Sequence, residues 1–366
     1  MSSGSIRERL VHYSRAWRNI AMSTHVSSPT GAHSLLSPTA VRSTVVPVIQ
    51  RQVSLLEPSL ARICGYHLGF VDEHGDPSSG GAGKLTRAGL MLAVADGVGL
   101  RPEDVRYQAA AVELLHNATL VHDDIADADD LRRGRRAAWK VFGTGPAIHA
   151  GNALQILGLQ MVVDDSGPGH KEIAGSFTEA IGLVHAGQAR ELTIRPGSHV
   201  GIATYEQMVK EKASALLECS LGTPAIRAGT SENVLAALRD AGRHLGIALQ
   251  ISNDVEDIWG DPAVTGKPIR GDIQRRNPTF PVLVAMSTGT PAGDRLSRAW
   301  EADSTTDAHL QEMADLIDEA GGRRTAERLS RHHLQSALEN LGRAELSPNA
   351  TAELTALFDR IVNRAG

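Results

Sequence analysis

The residues best suited to chemistry lie in Leu114-Leu115-His116-Asn117-Ala118-Thr119-Leu120-Val121-His122-Asp123-Asp124-Ile125-Ala126-Asp127 and in the Arg132-Arg133-Gly134 that follows. An apolar helical run ends there in three carboxylates. At 3.6 residues per turn Asp123 and Asp127 share one helix face, with Asp124 beside the first. Clustered like charges repel unless a cation bridges them. An all-oxygen set of this kind suits Mg²⁺, which takes one or two protein carboxylates and completes its shell with water and substrate phosphate. Arg132 and Arg133 add forked donors that match phosphate. Acid, metal and arginine beside an apolar helix imply a substrate with a diphosphate head and a greasy tail. Taken alone, the cluster reads equally well as a solvated helix end.

A second stretch of the same kind changes that balance. Leu245-Gly246-Ile247-Ala248-Leu249-Gln250-Ile251-Ser252-Asn253-Asp254-Val255-Glu256-Asp257 is again an apolar helix running into acids. Gln250, Asn253, Asp254 and Asp257 stand at i, i+3, i+4 and i+7 and are expected on one face. A loop then delivers Lys267, and Gly271-Asp272 follows. Asp123, Asp127, Asp254 and Asp257 are the candidate metal ligands.

The elements that must position these groups read as helices throughout. Apolar residues recur at i, i+3, i+4 and i+7 over roughly 47–68, 83–98, 103–127, 146–163, 170–191, 205–228, 233–258, 306–320, 322–342 and 348–364. Gly-rich joints such as Gly143-Thr144-Gly145-Pro146 and Ser166-Gly167-Pro168-Gly169 separate them. No alternating β-branched run is long enough for a sheet, so the fold class is all-α. Residues 1–44, rich in Ser, Thr, Arg and His without a sustained period, read as a disordered tail that could dock on a partner, and 45–366 as one domain. A net charge of −5 and 4% aromatics exclude a general nucleic-acid binder. Two isolated cysteines, Cys64 and Cys219, form no zinc or disulfide framework and fit a reducing cytoplasm. The apolar runs are too short for a membrane span.

Taken together, the two acid motifs in this order, well over a hundred residues apart, resemble the trans-isoprenyl diphosphate synthase family (farnesyl, geranylgeranyl and longer polyprenyl diphosphate synthases) over about residues 45–366. The resemblance implies a bundle of long helices around a central cavity, a homodimer, and Mg²⁺-dependent condensation of isopentenyl diphosphate with an allylic diphosphate, with three ions when substrate is bound. It gives Asp123, Asp124, Asp127, Lys212, Asp254, Asp257 and Lys267 catalytic roles. Gly83-Lys84-Leu85-Thr86-Arg87 is similar to the family's isopentenyl diphosphate segment, which makes Lys84, Arg87, His116 and Arg133 the acceptor-binding residues. Arg132, Gln188 and Gln250 join them as substrate contacts. On their own, Lys84 and Arg87 would read as surface cations and His116 as a core residue.

The departures are informative. Asn253 stands where the family's second motif opens with Asp, Asn277 where a Lys is usual, Asn152 and Glu191 where Asp is usual, and Arg136 where Pro is usual. Either Arg275 or Arg276 is placed to supply the charge missing at Asn277. The expectation is an active enzyme with altered metal dependence. Small Ala118, with Thr119, Leu115 and Val112 below Asp123, favours a geranylgeranyl product over a shorter one. Two alternatives remain. Asn253, Asp257 and Asp261 loosely match the second metal triad of class I terpene cyclases on the same fold, and a non-catalytic subunit of a heteromeric synthase would keep the fold without the reaction.

Overall fold

The structure is a computed structural model, describing residues 37–78, 81–194, 200–262, 269–302 and 304–363. Its first helix, α1 (Pro38–Ser54), starts inside the stretch expected to be a tail. The Ser37 side chain accepts from Ala40 N, Pro38 occupies the first turn, and Val41, Val45, Ile49 and Val53 form a buried stripe. Val41 and Val45 provide the period that composition concealed. Residues 1–36, and with them most of that tail and its docking role, lie outside the described residues.

The single helix expected over 47–68 is broken before Pro58, and α2 (Pro58–Leu68) ends at Gly69 in the left-handed conformation. A loop leads to α3 (Thr86–Gly97) and then to the long α4 (Pro102–Ala126), opened by Pro102, Glu103 and Asp104. A two-residue ladder, β1 (Leu131–Arg132) and β2 (Arg135–Arg136), follows in antiparallel register. Arg133 and Gly134, at φ 53° and 73°, supply the two left-handed positions of its tight turn. Next come α5 (Ala138–Phe142), α6 (Thr144–Val163) and α7 (His170–Thr193).

The helix expected over 205–228 is continuous but not uniform. Between α8 (Ile202–Val209) and α9 (Ala215–Ala228), Lys210–Ser214 forms a π turn. Then α10 (Glu232–Trp259) carries the second acid motif, and α11 (Gly271–Gln274), α12 (Phe280–Ser287), α13 (Pro291–Glu301), α14 (Asp307–Glu319), α15 (Gly322–Arg343) and α16 (Pro348–Val362) complete the chain. Helix α12 escaped sequence reading because Phe280 to Ala285 are all buried, leaving no polar face to mark a period.

Helices α4 and α6 pack along each other, as do α10 and α15, with α9 between α10 and the first helices. The main core includes Leu90, Leu114, Leu115, Leu154, Phe177, Leu217 and Leu221, all fully buried. A second core beneath the C-terminal acid motif joins Tyr205, Ile247, Ile251, Phe280 and Leu283. A third, with Ile273, Leu296, Trp300, Met313 and Ile317, supports the loop after α10. No helix of the described residues is long and apolar enough to cross a membrane. Cys64 and Cys219 are buried and free.

Candidate active site

The first acid cluster is delivered by the C-terminal end of α4. Asp123 and Asp127 keep partial exposure, while Asp124 is buried and paired with Arg132, whose Nε donates to Asp124 Oδ1 at 2.7 Å. A second carboxylate, Asp129, lies 3.7 Å from Arg132. Asp124 thereby orients the Arg132 guanidinium beside the acid cluster. Burial raises the pKa of Asp123 and of Asp127, opposed in both by Lys212. Two carboxylates that are costly to ionise side by side, with oxygen as the only donor type, are what a hard divalent cation relieves.

Lys212 stands over this pair. Its ammonium is paired with Glu191 and lies 3.9 Å from Asp123 Oδ1. Burial would lower its pKa, but Glu191 and Asp123 outweigh that and raise it, so it stays charged. The π turn aims Lys212, and two glycines make room for the widened backbone. A Cβ on Gly187 would meet Lys212 N at 2.7 Å, and one on Gly246 would meet Ser214 Cα at 2.5 Å.

In the second cluster the expected face divides. Asp254 is 2% exposed and turned inward. Tyr205 OH and Phe280 N (3.1 Å) donate to its Oδ2, and Gln250 Nε2 donates to Oδ1 at 2.9 Å. Burial, with Asp272 nearby, raises its pKa to about 7. Both Asp254 oxygens are thus engaged inside the protein, Oδ2 by Tyr205 and Phe280 and Oδ1 by Gln250. The offset between residues 253/257 and 250/254 turns the second pair toward α8 and Phe280. Asn253 and Asp257 keep the partial exposure, and Asp257 Oδ2 accepts from Asp272 N at 2.9 Å. Asp261, third in the cyclase-like spacing, lies exposed past the end of α10. Lys267 lies outside the described residues.

Arg275 ties the two clusters together. It is 3.0 Å from Asp272 and 3.9 Å from Asp129, and Asp127 and Asp257 both act on its charge. Arg276 instead donates to Ala302 O (2.6 Å) and Ser304 O (3.0 Å) and lies over the Trp300 ring. Of the two arginines, Arg275 faces the acids and Arg276 pins the loop to the third core. Asn277 Nδ2 donates to Asp272 Oδ1 at 3.1 Å.

The residues expected to bind the acceptor, Lys84, Arg87, His116 and Arg133, form a second group. Arg133 Nη2 donates to Asn117 Oδ1 at 2.9 Å, and Gly83 lets the loop bearing the exposed Lys84 close on it, since a Cβ there would meet the guanidinium at 3.0 Å. His116, on the face of Asp123, is driven well below the usual imidazole pKa by burial and by Arg87 and Arg133, so it is neutral. The amide atoms of Gln188 are buried without hydrogen-bond partners, as expected of a group awaiting a ligand. Sequence reading missed His67 and Tyr205, because each gains meaning only from residues distant in the chain.

Residues 73–317 match the sequence model of the polyprenyl synthetase family. The chain is similar to the (2E,6E)-farnesyl diphosphate synthase of Mycobacterium tuberculosis, with 34% identity over 87% of this chain and 90% of that protein. It also shares 34% identity with the geranylgeranyl diphosphate synthase of the same organism, over 84% of this chain and 88% of that protein. The crystal structure of a polyprenyl synthetase from Streptomyces coelicolor A3(2) superposes with a TM-score of 0.83 at 32% identity, covering 89% of this chain and 100% of that one. Two acid-tipped helices tied through Arg275, beside a cationic group, now have their explanation: the chain belongs to the polyprenyl synthetase family and is a prenyltransferase of the trans-prenyl diphosphate synthase type.

Proposed function

We propose that the chain condenses isopentenyl diphosphate with an allylic diphosphate to make geranylgeranyl diphosphate, as a homodimer. The observation that carries the product length is the wall of α4 below Asp123, where Leu115, Ala118 and Thr119 present no aromatic side chain. Ala118 is fully buried, whereas Thr119 keeps exposure on the face shared by His116 and Asp123. Thr119 is therefore the side chain nearest the growing tail. Exposed Ile148, Ile156 and Val163 on α6, with Leu183 on α7, support pairing of two copies through that face.

Asp123, Asp127 and Asp257, with the Asn253 side-chain carbonyl, would hold the Mg²⁺ that the family uses. When bound, Mg²⁺ supplies positive charge to the departing diphosphate. Lys212 and Arg275 add fixed charge on the same side, already oriented by Glu191 and Asp272. Lys84, Arg87 and Arg133 hold the isopentenyl diphosphate so that its double bond meets the allylic carbon as the carbon–oxygen bond breaks. The apolar walls exclude water from the cation, and the released diphosphate takes the proton lost from the new product.

The test is incubation of the purified chain with labelled isopentenyl diphosphate, each allylic primer and Mg²⁺. Geranylgeranyl diphosphate is the expected product, and Thr119→Phe should shorten it to farnesyl diphosphate. Arrest at farnesyl diphosphate in the unaltered chain overturns the product, and geranylgeranyl diphosphate converted to hydrocarbon overturns the synthase reading.

A further inference from the structure

The β1–β2 hairpin sets Arg132 directly opposite Arg135, and like charges so placed destabilise a strand pair. Two more arginines, Arg133 and Arg136, flank them in the same hairpin. All four line a cavity of about 80 Å³ together with Tyr66 and His67, and no acidic residue lines it. Each fork is fixed by its own anchor. Arg132 is held by Asp124, Arg133 by Asn117, Arg135 by Val71 O at 3.0 Å and by the Tyr66 ring, and Arg136 by Lys140 O at 2.9 Å. A guanidinium has five N–H donors, so these anchors orient the forks and leave donors for a ligand. His67 is 6% exposed, and its Nε2 has no hydrogen-bond partner. Its pKa is pushed to about 3, by burial first and then by Arg133 and Arg132, so the ring is neutral.

We propose that this cavity is an accessory oxyanion site that takes inorganic phosphate or diphosphate. It is distinct from the acceptor site, since Lys84, Arg87 and His116 do not line it, but Arg133 belongs to both. The cavity has room for an inorganic anion and none for a prenyl chain. An anion there draws donors of Arg133 away from isopentenyl diphosphate. This consequence rests on the proposed synthase reading: the diphosphate released by the reaction weakens acceptor binding.

Calorimetric titration of the full chain with phosphate, and separately with diphosphate, tests the site without substrates and with chelator present. One anion per chain is expected at this cavity, beyond any held by the isopentenyl and allylic diphosphate sites. Arg135→Gln with Arg136→Gln should weaken it roughly tenfold or more, with the melting temperature retained, and Arg136→Gln alone should weaken it less. The two titrations decide which anion is preferred. Undiminished anion binding by the double variant overturns the proposal. In turnover assays phosphate should raise KM for isopentenyl diphosphate in the unaltered chain and not in the double variant. A chain that binds anion through these arginines yet transfers no prenyl group would uphold the cavity and refute the catalytic reading.

Discussion

The Tyr205 hydroxyl donates to the Asp254 carboxylate inside the protein, so an acid of the second motif joins α8 to α10. Tyr205→Phe removes one of three donors to a buried carboxylate and should cost about 1–3 kcal/mol in chemical denaturation. The Mg²⁺ concentration giving half-maximal activity should stay the same. Asp257→Asn should do the reverse, raising that concentration with little loss of stability. An equal Mg²⁺ shift in both variants would place Asp254 in the ligand set.

Arg275 and Arg276 are neighbours with opposite duties. Arg275→Gln should raise KM for the allylic diphosphate roughly tenfold, the worth of one charge-assisted contact, without lowering the melting temperature. Arg276→Gln should lower the melting temperature and leave that KM alone, because its donors serve Ala302 and Ser304. Steady-state kinetics and thermal unfolding of both variants decide it.

The π turn depends on Gly246. A methyl there would stand 2.5 Å from Ser214 Cα, so backbone must move. Gly246→Ala should destabilise the protein by about 1–3 kcal/mol and should reduce turnover beyond that loss, because Lys212 rides on the displaced turn. Activity measured well below the unfolding temperature separates the two effects.

A pH response is built into the contact between α10 and α15. His244 Nδ1 and His333 Nδ1 are 2.8 Å apart, with His332, Lys210, Asp240 and Arg243 around them. Burial, then His244, lowers the His333 pKa from 6.5 to about 4. The unfolded chain therefore binds more protons than the folded chain between those values. The stability contributed by the neutral pair is complete above pH 6.5 and falls as pH drops toward 4. Urea unfolding at pH 7 and pH 5 should show the loss, and His333→Asn should flatten it.

Both acid motifs could be read in the chain because helical period and carboxylate type are local properties. Which acids face the cleft could not, since Asp254 is turned inward by Tyr205 and Phe280, neither of which adjoins it in sequence. The choice between Arg275 and Arg276 likewise waits on Trp300 and Ala302 across the loop. The start of α1 was hidden by Ser and Thr on its solvent side, although Val41 and Val45 already mark the stripe. The π turn leaves no trace in composition at all, because the glycines that permit it lie on α7 and α10.

Lys212 and Arg275 reach from other elements into a cleft crowded with carboxylates. They act as built-in counterions, which spares the ion-free cleft from splaying under its own repulsion. Successive catalytic cycles can then begin from the same preset shape, and the loss of ions by chelation silences the chemistry without melting the scaffold.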